Sequence, residues 1–382
     1  MKKTRQLVTI GLLATGLVAL YGCSSDIEGE SGDKKVQPVE LKVQTSISLG
    51  RALDPTTKGA ITGTAFTEND KIAVYANSSN YNSANNNYAV YKFASSSWAS
   101  EAGNKIYLSI EDATIYAVYP HDLTVEHTSA VSGTTTASGL LLHEGGTSSA
   151  DNNNKIDLNN AATGNIHAAQ GEIDFMYATP ATERNATTQE KCKATLAMQH
   201  ALAMISFKFY KDDTFNGDGK LTKIELKDAD ETPSVFKTGN ATMQIGDGTI
   251  SVADNGSNKK LTRFLYTNST TEGYTLLKLS EVSISGGSSS SDDDKKAYLP
   301  AFSMLAYPLA SFGEDKIKAT FTIDGLDYTM SLPELESGHS DNFWKAGYNT
   351  IYTVKMSGKE PTLSVSVTEW QDASVGDIAP IK

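Results

Sequence analysis

The sequence predicts an all-β protein, and three observations support this fold class. Many short segments alternate apolar and polar residues, which is the pattern of strands with one buried face. Residues that favour turns separate these segments about every 8–12 residues, as they do in antiparallel β-sandwiches. Helical periodicity is nearly absent after residue 22, whereas Tyr, which favours strands, is abundant with 17 residues. Because 382 residues suffice for two ordinary domains, we expect two tandem antiparallel sandwiches.

The first 22 residues have the parts of a bacterial export signal. Three basic residues precede an apolar run at 7–20, which is shorter than the about 20 residues that a membrane-spanning helix needs. Leu and Gly stand three positions and one position before Cys23, as in a lipobox. We therefore predict that a signal peptide, residues 1–22, is removed, that Cys23 is lipidated and that residues 23–38 form a polar tether. An ordinary signal peptide with an incidental Cys is the alternative.

The first strand after the tether shows the clearest alternation in the chain. Its predicted inward residues are Val39, Leu41, Val43, Thr45, Ile47 and Leu49. The strand ends at a basic loop, Arg51-Ala52, which a protease could cut. A strand removed there would leave its groove free for a strand of another chain. The alternative is a permanent edge strand, with Arg51 as an ordinary loop residue.

Further strand patterns continue to a polar stretch at 179–191, which is the best candidate for a domain boundary. They lie at 71–76, 88–93, 105–110, 114–119 and 173–178, with an Asn- and Ser-rich loop at 77–87 and a long loop region at 121–170 that includes one short strand at 140–142. The N-terminal domain is therefore predicted at 39–190 and the C-terminal domain at 191–382.

A second series of strand patterns fills the C-terminal half. Residues 194–209 are predicted to form one long strand with a bulge near 203–205, because the apolar positions change parity there. The remaining strands are predicted at 221–227, 241–245, 249–253, 261–266, 274–279, 297–307, 316–323, 327–332, 348–356 and 362–367. Gly246-Asp247-Gly248 and Asp324-Gly325 are typical of hairpin turns, and residues 285–296 are typical of a solvated loop.

The sequence contains none of the common catalytic or cofactor-binding motifs. It has no GxSxG, HExxH, CxxC, Walker or GxGxxG pattern, so we predict no enzymatic activity, no cofactor and no metal. His200 lies among apolar positions of a strand and is expected to be buried and hydrogen-bonded. Cys192 has no second thiol once Cys23 is lipidated and is expected to be inert. The segment 212–225 has several EF-hand positions, but Thr214 stands where the motif needs Asp, which favours a polar turn.

The net charge of −12 further limits the possible functions. Binding of DNA or RNA needs a basic stripe, and the sequence shows none, so we expect no nucleic-acid partner. An acidic balance is typical of a soluble extracellular surface. Exposed aromatic residues could bind glycans, and Trp98, predicted in a loop, keeps a non-polymerising glycan-binding surface lipoprotein open as an alternative. Trp344 and Trp370 are expected in the core instead.

Several short motifs together resemble the fimbrillin-like family of the Bacteroidetes. Besides the Cys23 lipobox they are Gly63-Thr64-Ala65-Phe66 with Asp70-Lys71-Ile72-Ala73-Val74-Tyr75, Asp174-Phe175-Met176-Tyr177-Ala178, His200-Ala201-Leu202-Ala203-Met204-Ile205-Ser206-Phe207, Trp344-Lys345-Ala346-Gly347-Tyr348 with Tyr352, and Leu363-Ser364-Val365-Ser366-Val367-Thr368-Glu369-Trp370. Each motif is short, but their order and spacing extend from residue 23 to the C-terminus.

The resemblance implies a subunit of type V pili, either a stalk pilin or a tip or anchor pilin, that mediates cell adhesion. Such subunits have two transthyretin-like β-sandwiches and reach the outer membrane as lipoproteins before they enter the surface-exposed fimbrium. Their implied partners are other fimbrial subunits, the outer membrane through the lipid, and ligands on host or bacterial surfaces.

The resemblance also implies a mode of assembly. An arginine-specific protease removes the N-terminal strand, and the C-terminal segment of a neighbouring subunit fills the vacated groove. Carried onto this sequence, Arg51 and Ala52 are the candidate cleavage site and residues 39–49 are the displaced strand. The candidate donor strand comprises Leu363, Val365 and Val367, or else the tail through Ile378 and Ile381.

Overall fold

Strands dominate the fold of the computed structural model, as the sequence predicts. The structure describes residues 39–47, 66, 68–77, 87–101, 105–108, 113–126, 136–142, 155–158, 166–169, 171–178, 181–184, 192–229, 237–252, 260–267, 273–284, 291–309, 312, 315–333, 344–358 and 361–369. Among them, no helix combines the length and the apolar character that crossing a membrane requires.

Thirteen strands precede residue 190 in the described part of the chain. They are β1 (Val39–Glu40), β2 (Lys42–Ile47), β3 (Lys71–Asn77), β4 (Tyr88–Ala94), β5 (Ser97–Ser100), β6 (Tyr107–Leu108), β7 (Ala113–Tyr119), β8 (Thr124–Glu126), β9 (Thr136–Leu142), β10 (Lys155–Asp157), β11 (Ile166–Ala168), β12 (Met176–Ala178) and β13 (Ala181–Arg184).

The second part of the chain adds the remaining strands and two short helical turns. They are β14 (Lys193–His200), β15 (Ala203–Lys211), β16 (Lys220–Asp228), β17 (Gly239–Gln244), β18 (Ile250–Val252), β19 (Lys260–Tyr266), β20 (Tyr274–Thr275), β21 (Leu277–Lys278), a 3-10 turn (Leu279–Glu281), α1 (Asp292–Ala297), β22 (Ala301–Ala306), β23 (Ile317–Ile323), β24 (Leu326–Ser331), β25 (Tyr348–Met356) and β26 (Thr362–Glu369).

The largest sheet has the strand order β2-β14-β12-β7-β3-β4-β5, with β13 also paired to β7. Its strands alternate between two apolar clusters, because successive side chains of a strand point to opposite faces. In β3, for example, Ile72 and Val74 lie in one cluster, whereas Ala73 and Tyr75 lie in the other. We call the first cluster the N-terminal core, and its buried residues are Leu41, Val43, Phe66, Ile72, Val74, Ala76, Ala89, Tyr91, Trp98, Ile106, Leu108, Ala113, Ile115, Ala117, Tyr119, Met176, Ala178, Cys192, Ala194, Leu196 and Met198.

Two further sheets form a sandwich around an aromatic core. Their strand orders are β10-β19-β16-β23-β24 and β11-β22-β15-β25-β26. Phe207 and Phe209 of β15 pack edge-on against Phe321 of β23, with ring centroids 5.3 and 4.9 Å apart. Because β15 and β23 belong to different sheets, these contacts join the two inner faces. A smaller sheet has the order β18-β17-β9-β8.

Strand pairing crosses the boundary that the sequence predicts near residue 190. β14 follows that boundary yet lies in the largest sheet, next to β2 and β12. In the other direction, β10 and β11 precede it and pair with β19 and β22. Residues Gln37–Lys382 accordingly group as one compact unit. The division into domains at 39–190 and 191–382, and their transthyretin-like arrangement, therefore remain proposals.

The predicted single strand over 194–209 is wrong, because the chain forms two strands in different sheets. β14 ends at His200 and β15 begins at Ala203. The change of apolar parity thus marks a passage from one sheet to the next, not a bulge within one strand. Ala201 and Leu202 make this passage fully buried.

Two other features differ from the predictions. Antiparallel pairs prevail, but β2–β14, β10–β19, β11–β22, β15–β21 and β15–β25 are parallel. Alternation along a strand carries no information on the direction of its neighbour, so the sequence could not show this. The region 285–296, predicted to be a loop, contains most of α1.

Candidate functional site

The N-terminal strand is built into the protein at two places. β1 pairs antiparallel with β6, whereas β2 pairs parallel with β14 from Lys42 to Ile47. Leu41 lies between these two segments, and its backbone N–H donates to the carbonyl of Ile106 at 2.9 Å. The strand therefore leaves one pairing partner and joins another within a single residue.

The inward face of the strand lies in the N-terminal core. Leu41 and Val43 are 0% and 4% exposed, and Val39 and Ile47 are partly buried against the same cluster. Lys42, Gln44 and Ser46 are exposed, and Thr45 is half-buried. The predicted alternation is thus confirmed for residues 41–47, whereas Val39 and Glu40 are both half-buried. Leu49 lies outside the described residues, as do Cys23, Arg51 and Ala52.

β2 is one terminal strand of the largest sheet and lies close to the other terminal strand, β5. It pairs along its backbone with β14. β5 ends the same sheet on the opposite side, yet its Trp98 donates a hydrogen bond from Nε1 to Oγ1 of Thr45 at 2.8 Å. The two terminal strands of the sheet, β2 and β5, therefore approach each other. We call the space that β2 fills between β14 and β5 the groove.

Two further polar contacts fix the position of the strand. The hydroxyl of Tyr91 donates to the carbonyl of Leu41 at 2.8 Å, and burial raises the pKa of Tyr91, so this donor stays protonated. Glu40 accepts hydrogen bonds from Lys105 at 2.8 Å and from Ser100 at 3.1 Å. Burial alone would raise the pKa of Glu40, but these two contacts outweigh it and lower the pKa.

The burial of two aliphatic side chains gives an order of magnitude for the free energy that holds the strand in place. Full burial of one Val or Leu side chain contributes about 1.5–3 kcal/mol, so Leu41 and Val43 together contribute about 3–6 kcal/mol. Removing the strand would expose the apolar residues beneath it, among them Trp98, Ile106 and Leu196, which lie in the same core. Such an exposed apolar surface favours association with another segment.

The candidate donor strand at the C-terminus is already paired in this conformation. Leu363, Val365 and Val367 lie in β26, which pairs antiparallel with β25 from Thr362 to Glu369. β26 is the terminal strand of its sheet, and Leu363 is partly buried against the aromatic core. The alternative donor residues Ile378 and Ile381 lie outside the described residues. A role as donor stays a proposal for both segments.

Two buried pairs of titratable side chains involve the segment 171–178. Asp174 and His200 are fully buried at the side chain, with Oδ2 and Nδ1 2.5 Å apart, so His200 is buried and hydrogen-bonded as predicted. Burial raises the pKa of Asp174, and His200 opposes that shift. Glu172 pairs with Arg263 of β19 and accepts from the backbone N–H of Leu305 at 3.1 Å. These contacts tie the segment to three different strands.

Sequence reasoning missed the pair of Glu172 and Arg263, although one signal was present. Arg263 stands in phase with the buried Leu261 and Leu265 of β19. A cation on the buried face of a strand needs a buried counter-charge. The alternation therefore predicts that Arg263 has an acidic partner. It does not identify that partner as Glu172, which is 91 residues away in the chain.

The EF-hand-like segment 212–225 is a polar turn, as predicted. Asp212 accepts from the backbone N–H and the hydroxyl of Thr214, and these bonds with Lys355 lower the pKa of Asp212 to about 2. Glu225 lies apart from the turn, on β16. No group of three potential metal ligands occurs in the described ranges.

Trp98 does not have the exposed position that the glycan-binding alternative needs. It lies in β5 and is 9% exposed, so its predicted place in a loop is wrong. Ser95 and Ser96, both with positive φ, form the two-residue turn between β4 and β5. This turn type favours Asn and Gly, so two Ser residues gave no hairpin signal. Trp344 is fully buried, as predicted.

Comparison with known proteins identifies similar sequences and structures. A family profile described as Fimbrillin-like matches residues 57–370. A candidate cell adhesion protein from Bacteroides uniformis has 16% identity and a TM-score of 0.53, over 87% of this chain and 99% of that protein. A second one, from Bacteroides ovatus, has 15% identity and a TM-score of 0.52, over 88% and 98% of the two chains. At these identities the structures support a shared fold. No curated protein sequence matches the chain.

Proposed function

Because the chain belongs to the fimbrillin-like family, we propose that it is a type V fimbrial subunit, a stalk pilin or a tip or accessory pilin, that mediates cell adhesion. It is exported as a lipoprotein, is anchored to the outer membrane through Cys23, and then enters the fimbrium at the cell surface. Its partners are other fimbrial subunits, and its ligands lie on host or bacterial surfaces. The role that we propose is structural.

The assembly step that we propose uses the groove. Cleavage between Arg51 and Ala52 cuts the covalent link of residues 39–49 to the body of the protein. The segment then leaves, and a strand of a neighbouring subunit takes its place. The observation that carries this proposal is the position of residues 41–47, because β2 pairs with β14 and contacts Trp98 of β5, while Leu41 and Val43 are buried in the N-terminal core.

The donor in this proposal is the C-terminal segment of the neighbour. A strand that enters the groove gains main-chain hydrogen bonds to β14, and its alternate side chains replace those of the lost strand. If β26 is the donor, it first has to leave β25, with which it pairs from Thr362 to Glu369. The N-terminal strand keeps the groove filled until then, which prevents assembly before export is complete.

An Arg-specific protease applied to the purified precursor tests this proposal. The wild-type chain is expected to lose its N-terminal segment and to form a ladder of oligomers that resists mild SDS treatment. Arg51→Ala is expected to remain monomeric, because its strand stays attached. Lys58→Ala removes a neighbouring basic residue and should behave as wild type, and an Arg184→Lys background excludes cleavage at that site. Equal ladders from Arg51→Ala and wild type would contradict the proposal.

A further inference from the structure

One hydrogen bond in the groove depends on the side chain of the bound strand. The indole Nε1–H of Trp98 donates to Oγ1 of Thr45 at 2.8 Å. Phe66 and Phe93 pack against the indole ring at centroid distances of 5.0 and 5.2 Å, which fixes its direction. Since an indole N–H can only donate, it needs an acceptor at this position.

The indole stays in the groove when the N-terminal strand leaves. Trp98 belongs to β5, which pairs with β4 and not with β2. A new strand without an acceptor opposite Trp98 would leave this donor buried and unpaired. The penalty for such a group corresponds to a loss of roughly 5- to 150-fold in affinity.

The other polar contacts of the groove discriminate less between strands. Tyr91 donates to a backbone carbonyl, that of Leu41, which every strand possesses. Lys105 pairs with Glu40, but its side chain is 43% exposed, so this ion pair contributes little to selection. The apolar pockets of Leu41 and Val43 accept any aliphatic residue of similar size. Among these contacts, the hydrogen bond from Trp98 therefore depends most on which side chain the bound strand carries.

We propose that Trp98 is a specificity-determining residue that selects incoming strands with Ser or Thr at the fourth inward position, that of Thr45. This inference rests on the proposed function, because it assumes that the N-terminal strand is replaced. The favoured strand has aliphatic residues at the positions of Leu41 and Val43 and a hydroxyl at the position of Thr45. The oxygen of this hydroxyl accepts the hydrogen bond from the indole N–H, so the polar group of Trp98 keeps a partner.

The chain's own C-terminal strand fits this pattern poorly. When Leu363 and Val365 are aligned with Leu41 and Val43, Val367 takes the position of Thr45 and offers no acceptor. β26 is in addition fully paired with β25. In this register the occupant favoured by the groove is a strand from a different kind of fimbrial subunit, one that carries Ser or Thr at the position of Thr45.

Peptide exchange into the cut protein tests the selection. The full chain receives a specific protease site in the segment that follows Arg51 and is cut there. Labelled peptides of residues 39–47 then compete for the groove, in three forms: unchanged, Thr45→Ser and Thr45→Val. The Ser peptide is expected to bind within about threefold of the unchanged one, whereas the isosteric Val peptide is expected to bind roughly tenfold more weakly.

Two protein variants complete the test. In Trp98→Phe, which keeps the ring but lacks the donor, the Thr45 and Val peptides should bind equally within about twofold. Tyr91→Phe, the matched control, should weaken all three peptides by the same factor. The three peptides on the unaltered protein already decide the question if either variant folds poorly.

The outcomes separate the two proposals. If no peptide enters the cut protein, the strand is not replaceable and the proposed function fails. If the Thr45, Ser and Val peptides all enter with equal affinity, the strand is replaceable but Trp98 does not select it. Discrimination against the Val peptide that persists in Trp98→Phe would likewise overturn the assignment.

Discussion

Glu172 and Arg263 show how single buried residues hold distant parts of the chain together. Arg263 is 1% exposed and donates from Nε to Oε1 of Glu172 at 2.7 Å, while the other carboxylate oxygen accepts from Leu305. β19 and β22, which carry Arg263 and Leu305, belong to the two sheets of the sandwich. The carboxylate of Glu172 therefore bridges both sheets.

Substitution of Glu172 by Gln is predicted to be strongly destabilising. The change leaves the guanidinium of Arg263 buried without its counter-charge, and removal of one partner of a buried pair costs about 3–5 kcal/mol. Chemical denaturation measures this loss in the free energy of unfolding. Glu225→Gln is the control, since Glu225 faces Lys260 at 3.8 Å in a partly exposed pair and should change stability by about 1 kcal/mol at most. Similar losses for both variants would contradict the role given to Glu172.

His167 predicts a specific dependence of stability on pH. Burial lowers the pKa of His167 from 6.5 to about 4, against the opposing effect of Asp157. Between these two values the unfolded chain binds a proton that the folded protein rejects, so stability falls as the pH falls from 6.5 to 4. The size of this effect is about 3 kcal/mol.

The variant His167→Gln isolates this contribution from the other titrating groups. Denaturation series at pH 7, 5.5 and 4 are expected to show a steeper loss for wild type than for His167→Gln. The difference between the two proteins should grow towards low pH. Parallel pH profiles would show that His167 is not the buried neutral group that the structure indicates.

At the scale of elements, the attachment of the N-terminal strand depends on its two buried inward residues, Leu41 and Val43. Leu41→Ala removes a fully buried side chain, and such a substitution costs about 2–5 kcal/mol. Gln44→Ala, on the exposed face of the same strand, should change the free energy of unfolding by less than about 0.5 kcal/mol. Thermal denaturation of both variants measures the contrast. A small effect of Leu41→Ala would mean that the strand is only loosely attached.

The sequence predicts best those elements whose residue pattern directly reflects where each side chain lies in the folded protein. The alternation at 41–47 matches its buried and exposed faces, and Asp324-Gly325 forms the predicted hairpin turn, with φ of 52° and 78°. Both signals are local, because one sheet face or one turn conformation determines each residue choice.

Elements without an apolar pattern could not be predicted from periodicity. α1 has no buried residue, and its signal is a capping box between Ser291 and Asp294, followed by Lys295 and Lys296 in the last turn. The short strands β10 and β11 lie in a region rich in Thr, Ser, Asn and Gly. They are held by β19 and β22, which are more than 100 residues away in the chain.

For the candidate site, the sequence predicted the strand but not its surroundings. The parallel pairing with β14, the hydrogen bond from Tyr91 and the hydrogen bond from Trp98 all depend on which distant strands become neighbours. A pattern of alternation shows that one face must be buried, but it does not name the residues that cover it. The closure of the largest sheet around β2 therefore emerges only from the fold.

At the scale of the whole molecule, the position of the N-terminal strand supports the assembly step that we propose. The N-terminal strand is continuous with the core at its inward face, yet it is the first segment of the folded unit and the terminal strand of its sheet. Among the residues that the structure describes, its strands pair only with β6 and β14. After a cut in the segment that follows it, the strand would be held only by non-covalent contacts on this side, and a strand of another chain could replace it.

We propose that the N-terminal strand fills the groove only until the subunit joins a fimbrium. The most direct measurement is the N-terminal residue of this protein in fibres sheared from intact cells, determined by chemical sequencing or mass spectrometry. We predict Ala52 at the N-terminus of the assembled subunit, with residues 39–49 absent from the fibre. Assembled subunits that still begin at a lipidated Cys23 and retain the strand would contradict the account.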